Sequence, residues 1–265
     1  MPESPEVTYL SNYISRYCQG KVLTSVDIKK GRYAKHGAPM GFDAFVTDLP
    51  LKLVDVTKKA KITVLHFEKG WYIVSKLGMM GWWYVNYDRP EWMRGGPNIE
   101  FKFPDIYLQY HDTLSYGTLT FTRDLGYIEK EFNRLAPEVE KVTVAEVMER
   151  IAKKKAVSKK LIEDVLLDQT AIVSGVGNYL KSEILYEARI SPKRRVDSFT
   201  TEDWKIFLAA ARKVIKRKVK TVCDLDKYSA TMYVYSKSVD PLGNKIETHK
   251  TKDNRTTYWV PSLQK

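Results

Sequence analysis

Cysteine is almost absent from this chain. Its 265 residues hold two, Cys18 and Cys223. Two thiols cannot build a disulfide framework or a four-thiolate zinc site, and they suit a reducing compartment. The four histidines, His36, His66, His111 and His249, show no metal-site spacing, so no metal or other cofactor is expected. No apolar run approaches the ~20 residues of a membrane span. The N-terminus is acidic rather than basic and apolar, which is not the pattern of a secretory signal. The expectation is an intracellular, non-secreted protein outside the membrane. Acidic charge is also in short supply: 32 Asp and Glu face 44 Lys and Arg, a formal charge of +12. That excess favours a polyanionic partner, nucleic acid before an acidic membrane.

From Lys21 to about Thr122 the chain reads as β-rich. Val22, Thr24, Val26 and Ile28 are followed by strand-like runs at Leu51–Val56, Ile62–Phe67, Trp71–Ser75, Trp82–Val85, Ile99–Phe103, Ile106–Tyr110 and Thr118–Thr122. Glycines punctuate them, and short connections predict an antiparallel sandwich or barrel. Past Gly126 the pattern turns helical. Thr143 with Glu146, and Thr200 with Asp203, have capping-box spacing, and Ser158 is a candidate cap for a helix carrying Leu161, Ile162, Val165 and Leu166. Lys153–Lys155 and Arg212–Lys220 are basic runs expected on solvated helix faces. From Tyr233 short strands return, with turns at Asp240–Gly243 and Lys252–Asn254.

Two stretches carry chemistry. The first is MPESPEV. If Met1 is removed, Pro2 presents a secondary amine beside the Glu3 carboxyl group. Such an amine can attack an electrophilic carbon and become an iminium, an electron sink for later bond cleavage. Glu3 supplies proton transfer at the same place. Ser4 can cap a helix, Pro5 fits its first turn, and Val7, Leu10, Ile14 and Tyr17 recur at helical spacing up to Gly20. The second stretch is LLDQTAIVSGVGNYLKSEILYEARISP, Leu166 to Pro192. Gly175 and Gly177 allow close backbone approach, and Asn178 stands at a helix N-terminus, where an anion such as phosphate is favoured.

Together these stretches resemble the formamidopyrimidine-DNA glycosylase and endonuclease VIII family, and the likeness extends through KKAK, LGMMG and NRTTYWVP. The resemblance implies an α+β fold: an N-terminal helix and antiparallel β-sandwich (1–130), a helical helix–two-turn–helix domain (131–230), and a β-hairpin finger (231–265). It implies a partner, damaged DNA, duplex or single-stranded, and a monomer that excises oxidised bases and cuts the strand. Pro2 would be the nucleophile at the sugar C1′, and Glu3 would protonate the ring oxygen. Lys61 would contact phosphate and assist catalysis, and Asn178 and Arg255 would grip phosphates. Met79, Leu114 and Tyr116 would fill the void left by a flipped nucleotide or wedge beside it. Glu6 and Glu183 would be supporting carboxylates.

The chain also departs from the family pattern. Residues 233–265 contain no cysteine, and Val260 and Leu263 stand where zinc-bound relatives carry thiolates. This resembles the zincless-finger, endonuclease VIII-like branch, with Tyr235, Ile246, Tyr258 and Trp259 available for packing. DTLSYG lies where many relatives have DPRRFG. The segment Cys223–Tyr233 is shorter than the loop of relatives that cap 8-oxoguanine, so the resemblance implies oxidised pyrimidines and hydantoins over 8-oxoguanine. The alternative is a non-catalytic binder of damaged or structured DNA, which leaves the combination of Pro2, Glu3 and Lys61 unexplained.

Overall fold

The computed structural model describes residues 2–86 and 95–265. The chain divides into two compact units: Met1–Pro2 with Glu6–Glu131, and Glu3–Pro5 with Phe132–Lys265. Met1 lies outside the described residues.

Among the described residues, the first unit contains most of helix α1 (Ser4–Cys18), two short helices, α2 (Arg32–His36) and α3 (Phe42–Thr47), and nine strands. The strands are β1 (Val22–Leu23), β2 (Ser25–Ile28), β3 (Leu51–Lys59), β4 (Ile62–Phe67), β5 (Trp71–Lys76), β6 (Trp82–Val85), β7 (Ile99–Lys102), β8 (Tyr107–His111) and β9 (Thr118–Thr122). They form two antiparallel sheets, ordered β1-β3-β4-β5-β9 and β2-β7-β8-β6. Residues of both sheets share one apolar core: Leu65, Ile73 and Phe121 from one, Trp83, Phe101 and Leu108 from the other. Phe101 stacks on Phe121 across the sandwich, with centroids 6.4 Å apart. Trp83 is buried while Trp82 is only half-buried, as alternation along a strand requires.

Helix α1 lays Val7, Leu10, Ile14 and Cys18 into the same core. Tyr17, expected on that stripe, is exposed; Cys18 takes its place at the helix end, four residues after Ile14. The short helices α2 and α3 interrupt a region whose composition reads as β-rich. Phe45 of α3 anchors there through edge contacts with Phe67 and Trp71.

The chain enters the second unit along α4 (Leu125–Asn133). There follow α5 (Val144–Lys153), α6 (Lys155–Ser158), α7 (Ile162–Leu167), α8 (Asn178–Glu187), α9 (Thr201–Val219), α10 (Leu225–Ala230) and an antiparallel hairpin, β10 (Glu247–Lys250) with β11 (Thr256–Trp259). Both capping boxes form, Thr143 with Glu146 and Thr200 with Asp203. Ser158 does not cap α7. It ends α6, donating to the Lys155 carbonyl at 2.7 Å, and the N-cap of α7 is Leu161. Helix α8 lies at the centre, buried on every side from Tyr179 to Tyr186. Of the two basic runs, Lys153–Lys155 is solvated as expected, but Lys218 is fully buried, donating to the Tyr228 carbonyl and the Thr231 hydroxyl at 3.0 Å each. Among the described residues no helix is long and apolar enough to cross a membrane.

Candidate active site

The second unit holds Glu3 in a defined seat. Its Oε2 accepts N–H bonds from Gly177 at 2.7 Å and Leu180 at 3.1 Å, and its Oε1 accepts from Tyr179 at 3.1 Å. These are the free amides at the start of α8, where the helix dipole favours negative charge. The sequence pattern points to an external phosphate at this terminus. The chain's own Glu3 carboxylate is the anion that takes up the Gly177, Tyr179 and Leu180 amides. The Ser4 amide donates to the Gly175 carbonyl at 3.0 Å, and its hydroxyl to Glu140 Oε1 at 2.7 Å.

The two glycines of GVGN have different reasons to be there. Gly175 has φ +91°, a left-handed conformation that favours glycine. Gly177 has an ordinary φ of −126°, but a Cβ there would overlap the Glu3 carboxyl carbon and Oε1 and come within 2.8 Å of its Cγ. Gln169 staples the connection between α7 and α8. Its side-chain amide donates to the carbonyls of Leu167 (3.0 Å) and Val176 (2.8 Å), and its Oε1 accepts from the Gly175 amide at 2.9 Å. Its sequence context, between Asp168 and Thr170 just ahead of the apolar Ala171–Val173, gives no local sign of this role.

Asn178 opens α8. Its Nδ2 donates to the Thr256 carbonyl at 2.9 Å, and its buried Oδ1 has no partner among the described residues. Thr256 follows Arg255, which is exposed at the hairpin end, where Asn254 turns left-handed with φ +58°. The structure therefore brings Glu3, Asn178 and the strand bearing Arg255 onto one helix. Glu183 is farther along α8 and fully buried. Its carboxylate accepts the amides of Tyr233, Val234 and Tyr235 at 2.9–3.0 Å, so it ties down the segment leading into the hairpin. The hairpin base is apolar: Val260 and Ile246 pack with Val234 and Tyr186, and Leu263 and Tyr258 flank them. Tyr235 meets Tyr258 edge-on at 5.1 Å, while Trp259 faces His249 and lies under the Lys193 ammonium. Among the described residues no group of His, Cys, Asp or Glu is arranged to hold a metal ion.

The first unit places the remaining candidates. Pro2 and Glu6 are buried. Lys61 is half-buried at the turn between β3 and β4, after Ala60 at φ +53°. Met79, Leu114 and Tyr116 project from two loops with 36%, 48% and 64% of their surfaces exposed. Those loops are interlocked, since a Cβ on Gly78 would fall 2.5–2.7 Å from the Tyr116 and Gly117 backbone. Asp112 braces the second loop, accepting the Gly117 amide at 2.6 Å, and Arg32 donates to the Ser115 carbonyl at 3.3 Å.

Comparison with known proteins agrees with this layout. Residues 1–119 match the formamidopyrimidine-DNA glycosylase N-terminal domain, 135–227 its H2TH domain and 223–265 its C-terminal domain. The chain is 26% identical to the formamidopyrimidine-DNA glycosylase of Mycoplasma genitalium, over 100% of this chain and 96% of that one. It is 27% identical to that of Arabidopsis thaliana, over 100% of this chain and 71% of the other. A crystal structure of the Lactococcus lactis enzyme bound to DNA containing an abasic site superposes with a TM-score of 0.81, at 21% identity over 99% of both chains. Fold and site thus define an α+β protein with an antiparallel β-sandwich and a helix–two-turn–helix unit. The chain belongs to the formamidopyrimidine-DNA glycosylase family.

Proposed function

We propose that this chain is a base-excision DNA glycosylase with abasic-site lyase activity. The observation that carries the reading is the seat of Glu3: three backbone N–H groups fix a carboxylate one residue from a proline that becomes a secondary amine once Met1 is removed. In this reading the Pro2 nitrogen attacks C1′ of an extruded nucleotide, the bond from C1′ to the damaged base breaks, and the base leaves with the proton that the nitrogen gives up. Glu3 delivers a proton to O4′ as the ring opens, and the freed lone pair on nitrogen completes the iminium. Loss of a C2′ proton then expels the 3′ phosphate, and a further elimination expels the 5′ phosphate. The iminium is the electron sink throughout, so the scheme needs no cofactor.

Lys61, Asn178 and Arg255 grip phosphates, which offsets the few kcal/mol needed to unstack a base. Met79, Leu114 and Tyr116 occupy the gap the base leaves. Glu6 and Glu183 support the site, Glu183 by holding the approach to the finger. The three-part division into 1–130, 131–230 and 231–265 follows these roles. The finger is read as zincless, its Val260 and Leu263 packing where relatives bind metal. The short Cys223–Tyr233 segment favours oxidised pyrimidines and hydantoins over 8-oxoguanine. The working form is a monomer on duplex or single-stranded damaged DNA.

Borohydride trapping tests this directly. The protein, with mass spectrometry confirming loss of Met1, should form a covalent adduct with lesion-containing DNA, and Pro2→Gly should form far less. A wild type that never traps, or a Pro2→Gly variant that traps equally well, would point to the non-catalytic DNA-binding alternative.

A further inference from the structure

Helix α8 seats Glu3 at its start and then grips the finger with its next turn. Asn178 Nδ2 donates to the Thr256 carbonyl (2.9 Å), Lys181 Nζ to Thr257 Oγ1 (2.8 Å), and the Tyr258 amide to Ser182 Oγ (3.3 Å). Three successive residues of β11, directly after Arg255, are therefore docked on one helix. Lys181 is the unexpected member, because its side chain is fully buried.

The chain of bonds continues. Thr257 Oγ1 donates to Glu163 Oε2 at 2.5 Å, and the Glu163 carboxylate meets His249 Nε2 on β10 at 2.8 and 2.9 Å. Lys181, Thr257, Glu163 and His249 thus link α8, β11, α7 and β10. Burial pushes the Lys181 ammonium down to about 8, although Glu163, Asp164 and Glu3 favour its charge; Arg255 opposes it. A methionine could fill this space without desolvating a charge, so stability alone gives little reason for lysine here. The arrangement instead suits precise placement, since a buried polar contact holds only in one register.

We propose that Lys181 is a positioning residue for Arg255: it locks the arginine-bearing strand to the helix that seats Glu3, so that phosphate grip and proton transfer share one frame. This rests on the phosphate role given to Arg255 above. The test uses the full chain and a duplex containing a tetrahydrofuran abasic analogue, which binds without being excised. Lys181→Met should weaken binding about tenfold, as Arg255→Ala should, and the double variant should be no more than about twofold weaker than Arg255→Ala alone. Lys181→Met should also lose about one unit of salt slope. Thr257→Val, which removes only the hydroxyl's bonds, should move both readouts the same way and serves if Lys181→Met does not fold. Multiplicative losses, or a wild-type salt slope in both single variants, would overturn the proposal. If the wild type shows no preference for the abasic duplex, the reading of the whole site fails instead. Amide exchange then still judges the docking: faster exchange across Thr256–Trp259 in Thr257→Val supports it, and unchanged exchange refutes it.

Discussion

Replacing Gly177 by alanine separates the seat of Glu3 from every other role of the glycine-rich turn. The backbone at Gly177, φ −126° and ψ −157°, is extended and open to any L-residue, so alanine adds no torsional strain. What it adds is a methyl group inside the Glu3 carboxylate. The carboxylate must retreat by about an ångström, and the bonds from Gly177, Tyr179 and Leu180 stretch or break. Hydrogen bonds to a charged group contribute about 1.5–3 kcal/mol each and are not additive, so a loss of about 3 kcal/mol in stability is expected. A displacement of this size at a reacting group costs about 10²-fold in rate. Single-turnover excision of a lesion oligonucleotide, run beside urea unfolding, reads both. The control is the Glu3→Ala background, where the overlapping atoms are gone and Gly177→Ala should change stability by less than about 0.5 kcal/mol. A Gly177→Ala variant that excises at the wild-type rate would refute the anchoring argument.

Other consequences are equally open to measurement. Glu183→Gln would turn an amide donor toward the amides of Tyr233, Val234 and Tyr235; a stability loss of about 3 kcal/mol is expected in urea unfolding, with faster amide exchange in those three residues. Arg255→Ala should flatten the salt dependence of lesion-DNA binding by about 0.9 in log–log slope, and an unchanged slope would remove Arg255 from the phosphate contacts. Lys181, held at about 8, binds its proton less well folded than unfolded. Its burial penalty is therefore complete well below about pH 8 and is largely relieved by about pH 10, so stability gains about 2 kcal/mol between about pH 7.5 and pH 10. Urea unfolding at about pH 7.5 and pH 10 should show that gain in the wild type and not in Lys181→Met; parallel pH dependence in the two proteins would refute the assignment.

Much of this architecture was legible in the chain because its signals are local. Strand-like runs located the strands, though not their division into two sheets, and Thr-x-x-Glu and Thr-x-x-Asp spacing located two helix starts, since each depends on residues close in the chain. Helices α2 and α3 were not legible: five and six residues are too few to show a period, and contacts such as that of Phe45 with Trp71 hold them. Ser158 shows the opposite failure. It has a capping residue's chemistry, but Leu161 starts the next helix and leaves it at the end of α6.

The residues of the candidate site divide the same way. Pro2, Glu3 and Asn178 stand out as candidates by residue type and position, because amine, carboxylate and helix-terminus chemistry is local, whereas Lys61 and Arg255 are candidates only through the family resemblance. The tertiary structure alone decided that the anion at the start of α8 is Glu3, that Gly177 is glycine to make room for it, and that Lys181 is buried against Thr257. Those facts join residues far apart in the chain, and linear order carries no distance between them. Composition and spacing specify which groups a chain owns; only packing sets which of them meet, and there the cost of leaving a buried charge or amide unpaired selects the partner.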